Sequence, residues 1–419
     1  MTPKLYQAFL NAEKYLDSLG NLKTINFFDG TSDPNHHFKR AQHLLKLAGQ
    51  PDKAFKIIHV AGTSGKGTVS NQIYNILQSA GYKVGAHFSP FVSVSTEKIQ
   101  INNKFISLQE FVDLVEEAKP IIEKCYRTYD APSHFEVWFL LALMYFKKQK
   151  CDYAVIEAGC GGRYDGSNAV VKTEVSIITN IGLDHEHILG KTIKEIAWQK
   201  AGIIRKRGQV FTSATRPDAL QVMIEVCDKQ KAFLNIIDAP DHPNEALAGA
   251  IGNYLGLAEQ DIEAGIKKAK LPCRFEIMQT NPLVILDGAH NPDKIAFLAE
   301  KIKTLKKLGQ KIHLVCGLTD HKNPAKCFSA LKPLIDKVYC TRFTSPSRKV
   351  TLPETLVKAF KGKTYQTFLD PKTALMTALK KASTKDIVLV AGSFYLAGEL
   401  RSHWLDEVTQ LEMRNNFLK

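Results

Sequence analysis

The sequence predicts an α/β protein of two domains, each built on a mostly parallel sheet, the second domain being the smaller. Three observations point there. The chain has 419 residues, enough for two or three domains at roughly 150 residues each. Short apolar runs alternate with helical patterns, as they do where helices cover a parallel sheet. The alternation stops at the stretch Leu271-Pro272-Cys273-Arg274 and then begins again, so domains are expected over residues 1–272 and 273–419.

In chain order, the first domain should place strands at 57–61, 84–88, 153–156, 175–181 and 210–212, each a short apolar run. Helical spacing of apolar residues lies between them, around 68–80, 108–124, 134–148 and 193–203. The second domain should place strands at 283–286, 312–316, 337–341 and 386–391, a Rossmann-like series. No low-complexity segment and no period of 20 to 50 residues is present, which sets repeat architectures aside.

Composition narrows the class further. Hydrophobic residues are 44% and charged residues 23%, the balance of a globular protein rather than of a disordered chain or a disulfide scaffold. The longest apolar run, 137–146, is about half of what a membrane helix needs, and the first residues lack the pattern of a signal peptide. Neither a membrane partner nor export is expected. Eight cysteines at 125, 151, 160, 227, 273, 316, 327 and 340 form no C-x-x-C pair, so they read as reduced thiols in a cytoplasm. The net charge of +14 would draw nucleic acid, anionic lipid or nucleotides. Its lysines and arginines are dispersed, without a basic tail or interleaved aromatics, so a solvated surface is expected rather than a nucleic-acid face.

The strongest local signal follows the first strand: Gly62-Thr63-Ser64-Gly65-Lys66-Gly67-Thr68, an apolar strand entering a Gly-rich turn and then a helix. Glycines let successive N–H groups point inward, the helix N-terminus adds partial positive charge, and Lys66 can reach the outer phosphates. The first domain is therefore expected to be a P-loop mononucleotide-binding fold. Its spacing departs from the common P-loop form, because Gly67 separates Lys66 from Thr68. In such sheets ligands gather at the carboxyl ends of strands. Three more ends carry polar groups: Ser89 after 84–88, Glu157 after 153–156, and Asp184-His185 after 175–181. Oxygen donors suit magnesium beside phosphates, which makes Ser89 and Glu157 candidates and His185 a less usual one.

Thr192-Ile193-Lys194-Glu195 has the form of a capping box opening a helix, and Lys200 falls on that helix's apolar stripe. The stripe alone favours a lysine that snorkels to water; the other reading is an amine whose pKa falls by burial and becomes nucleophilic. In the second domain, 283–286 ends in Asp287-Gly288-Ala289-His290-Asn291-Pro292, again an acid, an imidazole and an amide at a strand end. That rim could close over a nucleotide held by the first, although Asp and Asn are common turn residues.

These motifs, taken with SPFVSVSTEKIQIN at 89–102, HFE at 134–136, EAGCGGRYDGSN at 157–168, ITNIGLDHEHILG at 178–190, QKAGIIR at 199–205, RFE at 274–276, LDGAHNP at 286–292 and AGSFYLAGE at 391–399, resemble the folylpolyglutamate synthase and dihydrofolate synthase family within the Mur ligase superfamily. The match runs in order from about residue 30 to 401. The resemblance implies an ATP-dependent ligase joining L-glutamate to the carboxylate of dihydropteroate or to the γ-carboxylate of folates through an acyl phosphate. By motif it implies that Thr63, Ser64, Gly65, Lys66, Gly67 and Thr68 hold the phosphates, that Asn244, Arg274 and Asp287 bind ATP, and that His290 lies near the γ-phosphate. Ser89, Glu157 and His185 match magnesium ligands, with two ions expected. Lys200 matches a lysine that carries a carbamate, which overrides the snorkelling reading. Ser133, His134, Phe135 and Glu136, with Tyr164, Asp165 and Gly166, match segments that touch the pterin. Two residues depart from the pattern: Lys98 stands where arginine is usual, and Cys160 where an aliphatic residue is common. The resemblance also makes a monomer the expected state.

Two rivals remain at this level. A cell-wall Mur ligase would share the chemistry but normally carries a further N-terminal domain, for which the residues before Lys56 look too few. A nucleic-acid-stimulated P-loop ATPase would instead show turnover raised by DNA or RNA and binding that weakens steeply with salt.

Overall fold

A computed structural model of the chain describes residues 1–20, 22, 33–320, 322–344 and 349–417. Their strands make two sheets, and the chain divides into two units: Met1–Phe91 with Thr96–Lys270, and Val92–Ser95 with Leu271–Lys419.

The first unit holds β1 (Lys56–Ala61), β2 (Val84–His87), β3 (Gln100–Ile101), β4 (Lys104–Phe105), β5 (Tyr153–Glu157), β6 (Val175–Ile178), β7 (Gln209–Thr212) and β8 (Phe233–Ile236), in the order β4-β3-β2-β5-β1-β6-β7-β8. From β2 to β8 every pairing is parallel, while β3 and β4 form an antiparallel edge hairpin. All residues of β2, β5 and β6 are buried, which is why they read as plain apolar runs rather than alternating ones. One face is covered by the helix Lys66–Ser79, whose Val69, Ile73, Ile76 and Leu77 pack on Ile58 and Val60. The helices Ile193–Lys200 and Pro217–Gln230 share a core with Ala61, Ile178 and Val210. The helix His134–Lys148 is buried from Glu136 to Phe146 on all sides, so its sequence shows no polar face.

The second unit holds β9 (Glu276–Thr280), β10 (Leu283–Leu286), β11 (Ile312–Cys316), β12 (Lys337–Cys340), β13 (Thr364–Thr367) and β14 (Ile387–Ala391), in the order β13-β12-β11-β14-β10-β9. All pairings are parallel except β9 with β10. One core cluster, with Ile295, Leu298 and Phe328, and another, with Leu375, Leu396 and Leu400, hold most of its buried apolar residues. Val92 packs into the latter cluster, and the helix Phe394–Arg401 approaches so closely that a Cβ on Gly398 would overlap the Val92 carbonyl.

The expected α/β class is the observed one. Strands β3, β4, β8, β9 and β13 have no counterpart in the expected series. They are short, half-exposed or at sheet edges, and β13 is exposed at all four residues, so no apolar run announces them. The helix expected at 193–203 ends at Lys200 and continues as a 3-10 turn, Ala201–Ile203. No described helix is long and apolar enough to cross a membrane. Among the described residues all eight cysteines are buried and none forms a disulfide.

Candidate active site

Four neighbouring strands of the first sheet, β2, β5, β1 and β6, end together, with Val60 beside Glu157, Ala61 beside Ile178 and His87 beside Ile156. Parallel strands lie about 4.8 Å apart. Ser89, Glu157, the Gly62–Thr68 turn and the 179–185 loop therefore follow adjacent strand ends, as the strand-end rule expects. The turn is tied to the loop after β6. Thr63 Oγ1 donates to Gly182 O at 3.0 Å, Ser64 N donates to Asn180 Oδ1 at 2.8 Å, and Thr179 Oγ1 donates to Ser64 O at 2.6 Å. Thr179 and Asn180 were not singled out as site residues in the sequence, although they lie at a strand end.

Gly65 has φ +87, in the left-handed region, and a Cβ there would sit 2.5 Å from Asn244 Oδ1. Glycine is thus required twice over, by conformation and by the approach of Asn244 from the start of the helix Pro243–Tyr254. The helix Lys66–Ser79 begins directly after it, which aims the helix N-terminus at the turn.

Lys66 Nζ donates to Gly62 O at 3.1 Å, and Lys200 Nζ donates to the same carbonyl at 2.8 Å. Lys200 is 3% exposed, so it does not snorkel. Burial, helped by the neighbouring Lys66 charge, pushes its pKa down to about 7. The two side chains thus converge on one carbonyl, where the charge of Lys66 makes a focus for an anion. Cys160 lies near enough to feel both lysines and belongs to the apolar cluster around Ile178 and Ile196, its thiol pushed up to about 12 by burial. It acts as a small hydrophobe, which explains its standing where an aliphatic residue is common.

His185 has φ +48 and is exposed, its Nε2 3.9 Å from Asp184 Oδ2. Glu157 is buried at the end of β5. Among the described residues no three His, Cys, Asp or Glu side chains gather as a self-sufficient metal site. A serine hydroxyl, one carboxylate and one imidazole fit an ion that takes most of its oxygens from water and phosphate, which is how magnesium is commonly bound.

The segments matched to the pterin pack on each other. A Cβ on Gly159 or Gly166 would lie 2.8 or 3.4 Å from the Phe135 ring. Asp165 is buried, which raises its pKa, and it accepts from Cys160 N at 2.7 Å, Ser167 N at 2.9 Å and the Ser167 hydroxyl. Ser167 Oγ in turn meets His59 Nε2 at 2.9 Å. Tyr164 lies beside Trp198, over which the Arg163 guanidinium stacks at 3.8 Å. Ser133 and Glu136 form a reciprocal cap of the helix His134–Lys148, and Glu136 also takes Arg40 Nε at 2.8 Å and a second Arg40 nitrogen at 3.2 Å. Arg40 also bonds Asp130 at 2.9 Å and is 1% exposed. His134 Nε2 lies 3.4 Å from Asp17 Oδ1 and accepts from Trp138 Nε1 at 2.9 Å. Lys98 places its ammonium 3.9 Å from the Trp138 ring centre and 4.8 Å from that of Phe91, and burial pushes its pKa down to about 7. Neither Arg40 nor its role was legible in sequence, because a partner 96 residues away leaves no local pattern.

In the second unit, Asp287, His290 and the Gly392–Phe394 stretch follow the ends of β10 and β14, which are neighbours. Asp287 accepts from Phe275 N at 2.8 Å and Ala289 N at 2.7 Å, and burial raises its pKa against the pull of Arg274. The Arg274 guanidinium lies 4.0 Å from the centre of the Phe394 ring.

A P-loop on a parallel sheet, followed by a second α/β unit with an Asp-Gly-Ala-His rim, defines the Mur ligase class. The Mur ligase middle-domain model matches residues 60–226, and the model for the Mur ligase glutamate ligase domain matches residues 273–394. The chain is 31% identical over 405 residues to the dihydrofolate synthase/folylpolyglutamate synthase of Bacillus subtilis, covering 86% of this chain and 93% of that one. It belongs to the dihydrofolate synthase/folylpolyglutamate synthase family. Among solved structures it is similar to the Escherichia coli FolC in complex with DHPP and ADP, at 28% identity and TM-score 0.81, over 94% of this chain and 97% of that one. It is also similar to a bifunctional folylpolyglutamate synthase/dihydrofolate synthase with Mn, AMPPNP and L-glutamate bound, at 28% identity and TM-score 0.78, over 87% and 93% of the two chains.

Proposed function

We propose that the chain ligates L-glutamate to the carboxylate of dihydropteroate, to the γ-carboxylate of a folate, or to both, with ATP as the phosphoryl donor. The observation that carries this is the convergence of Lys66 and Lys200 on Gly62 O at the end of β1 in a member of this family. A carboxylate is a poor electrophile. Transfer of the γ-phosphoryl group to it gives an acyl phosphate and ADP; the glutamate amine then attacks the acyl carbon and phosphate leaves. Phosphoryl transfer needs positioning and fixed positive charge more than covalent help. The turn Thr63–Thr68 would cradle the phosphates through backbone N–H groups, with Lys66 over their outer oxygens. Asn244, Arg274 and Asp287 would contact ATP.

Ser89, Glu157 and His185 would hold magnesium, two ions in all, which would offset the phosphate charge. With its pKa near 7, a good part of Lys200 is a free amine at neutral pH, and such an amine can add CO2 and lose a proton to give a carbamate. The new anion would lie beside Lys66 and could orient the metal. Ser133–Glu136 and Tyr164–Gly166 would face the pteroyl group, with Phe135 as the apolar surface and Glu136 held by Arg40 rather than available to substrate. A cytoplasmic monomer without nucleic-acid or membrane partners completes the proposal.

One assay tests it: the purified chain with ATP, labelled glutamate and either dihydropteroate or tetrahydrofolate, products separated by mass. Glutamate should appear in the folate-type product only with ATP and magnesium. ATP turnover raised by DNA or RNA, with no glutamate incorporated, would overturn the ligase.

A further inference from the structure

Successive side chains of β1 point to opposite faces of the first sheet. Ile58 and Val60 pack with the helix Lys66–Ser79, so His59 points to the other face, three residues before Gly62 and with no exposure to solvent. There its Nε2 lies 2.9 Å from Ser167 Oγ. The Ser167 hydroxyl has a single proton, which it donates to Asp165 Oδ1. His59 must therefore donate from Nε2. Burial, with the charge of Arg205, keeps the ring neutral, which leaves its lone pair at Nδ1. Nδ1 meets no partner among the described residues, so the bond to Ser167 is the ring's polar tether.

Asp165 receives what this relay holds. Cys160 N and Ser167 N donate to its two oxygens at 2.7 and 2.9 Å, and the Gly159 amide adds to them, which favours the carboxylate against the burial that raises its pKa. A Cβ on Gly159 would lie 3.2 Å from Asp165 Oδ2 and 2.8 Å from the Phe135 ring, so Gly159 is held between the two. Gly166, the neighbour of Asp165, lies against the opposite edge of that ring.

We propose that His59 is a positioning residue for the pteroyl substrate: acting through Ser167 and Asp165, it fixes the 159–166 loop on the Phe135 ring and so shapes the surface that the pterin would meet. The substrate it serves rests on the ligase function; the hydrogen-bonded relay does not. The strand that ends in the phosphate turn thereby also places the loop after β5. In sequence His59 is one residue of an apolar strand run, and its partner is 108 residues away.

The test uses the full chain carrying Ser167→Ala, Ser167→Thr, His59→Phe or His59→Gln. Alanine deletes the hydroxyl with little change of volume and threonine keeps it; glutamine can put an N–H where Nε2 stands and phenylalanine cannot. Ser167→Ala and His59→Phe should raise KM for dihydropteroate or tetrahydrofolate at least fivefold and leave KM for ATP within twofold. Ser167→Thr and His59→Gln should recover most of the loss. In 15N spectra of the histidine-labelled chain, assigned by His59→Gln, the His59 proton should sit on Nε2, and amide exchange over 159–167 should quicken in Ser167→Ala. Where His59→Phe fails to fold, Ser167→Ala carries the test. A proton on Nδ1 or an unchanged pteroyl KM in Ser167→Ala overturns the proposal, as does an equal rise in both KM values with a lowered melting temperature, the mark of a loosened sheet. A wild-type chain that incorporates no glutamate sinks the ligase function instead, and the tautomer and the amide exchange still decide whether His59 holds the loop.

Discussion

Two lysines with pKa values near 7 set up different experiments. Lys200 sits against Lys66, and its carbamate was expected from the family resemblance; the structure adds the burial that frees the amine. Lys200→Ala should lose at least tenfold in ligation, about 1.4 kcal/mol of barrier, and regain part of it with added formate or acetate. Activity equal to wild type would remove Lys200 from the mechanism. Lys98 lies between Trp138 and Phe91, with Asp17, Glu13, Glu97, His87 and His134 as its charged or titratable surroundings. Its folded pKa of about 7 lies below the ordinary 10.5. Between those values the unfolded chain binds the extra proton, so stability should rise with pH above 7 by up to about 1.4 kcal/mol per pH unit for this group, and the full burial penalty applies below 7. Urea midpoints from pH 6.5 to 9 should climb in wild type and climb less in Lys98→Met, the remaining slope coming from Lys200. Identical slopes would contradict the assignment. Sequence could place Lys98 as a departure from the family pattern; it could not show the two rings.

Helices and strands with both faces covered were legible, and those that depend on distant partners were not. The runs at 57–61, 153–156 and 312–316 are apolar because both faces are buried, and they reappear nearly unchanged as β1, β5 and β11. The capping box at Thr192 and Glu195 is present, since its partners are three residues apart. By contrast, the start of the helix His134–Lys148 is secured by Arg40 from the helix Pro34–Leu47, a contact no spacing reveals. Removing one member of a buried ion pair leaves the other charge uncompensated. Arg40→Met should therefore destabilise the fold by roughly 3–5 kcal/mol in chemical denaturation. Arg40→Met with Glu136→Gln should be more stable than the sum of the single losses; additive effects would show that the pair is not coupled.

At the scale of the molecule, a boundary was expected from the Pro-containing break near residue 272, while the structure separates its units at Lys270 and returns Val92–Ser95 to the second. That short segment is silent in sequence because four residues carry no periodicity. The sheet classes and the positions of the strand-end motifs were readable for a better reason: parallel strands put their polar ends on one rim, so order along the chain becomes position in space. A fragment of residues 271–419 should consequently melt lower than the same fragment supplied with a peptide spanning 88–98, measured by thermal unfolding. Equal melting would mean that Val92 contributes nothing to its cluster.

Val92 also imposes an order on biosynthesis. A ribosome releases it long before Gly398, whose helix lies flush against the Val92 carbonyl, has been polymerised. The nascent second lobe must therefore wait for its last helix while one piece of its interior is already tethered to the first, so premature termination downstream of residue 271 should leave an apolar side chain bare and the truncated product a target for quality-control proteases.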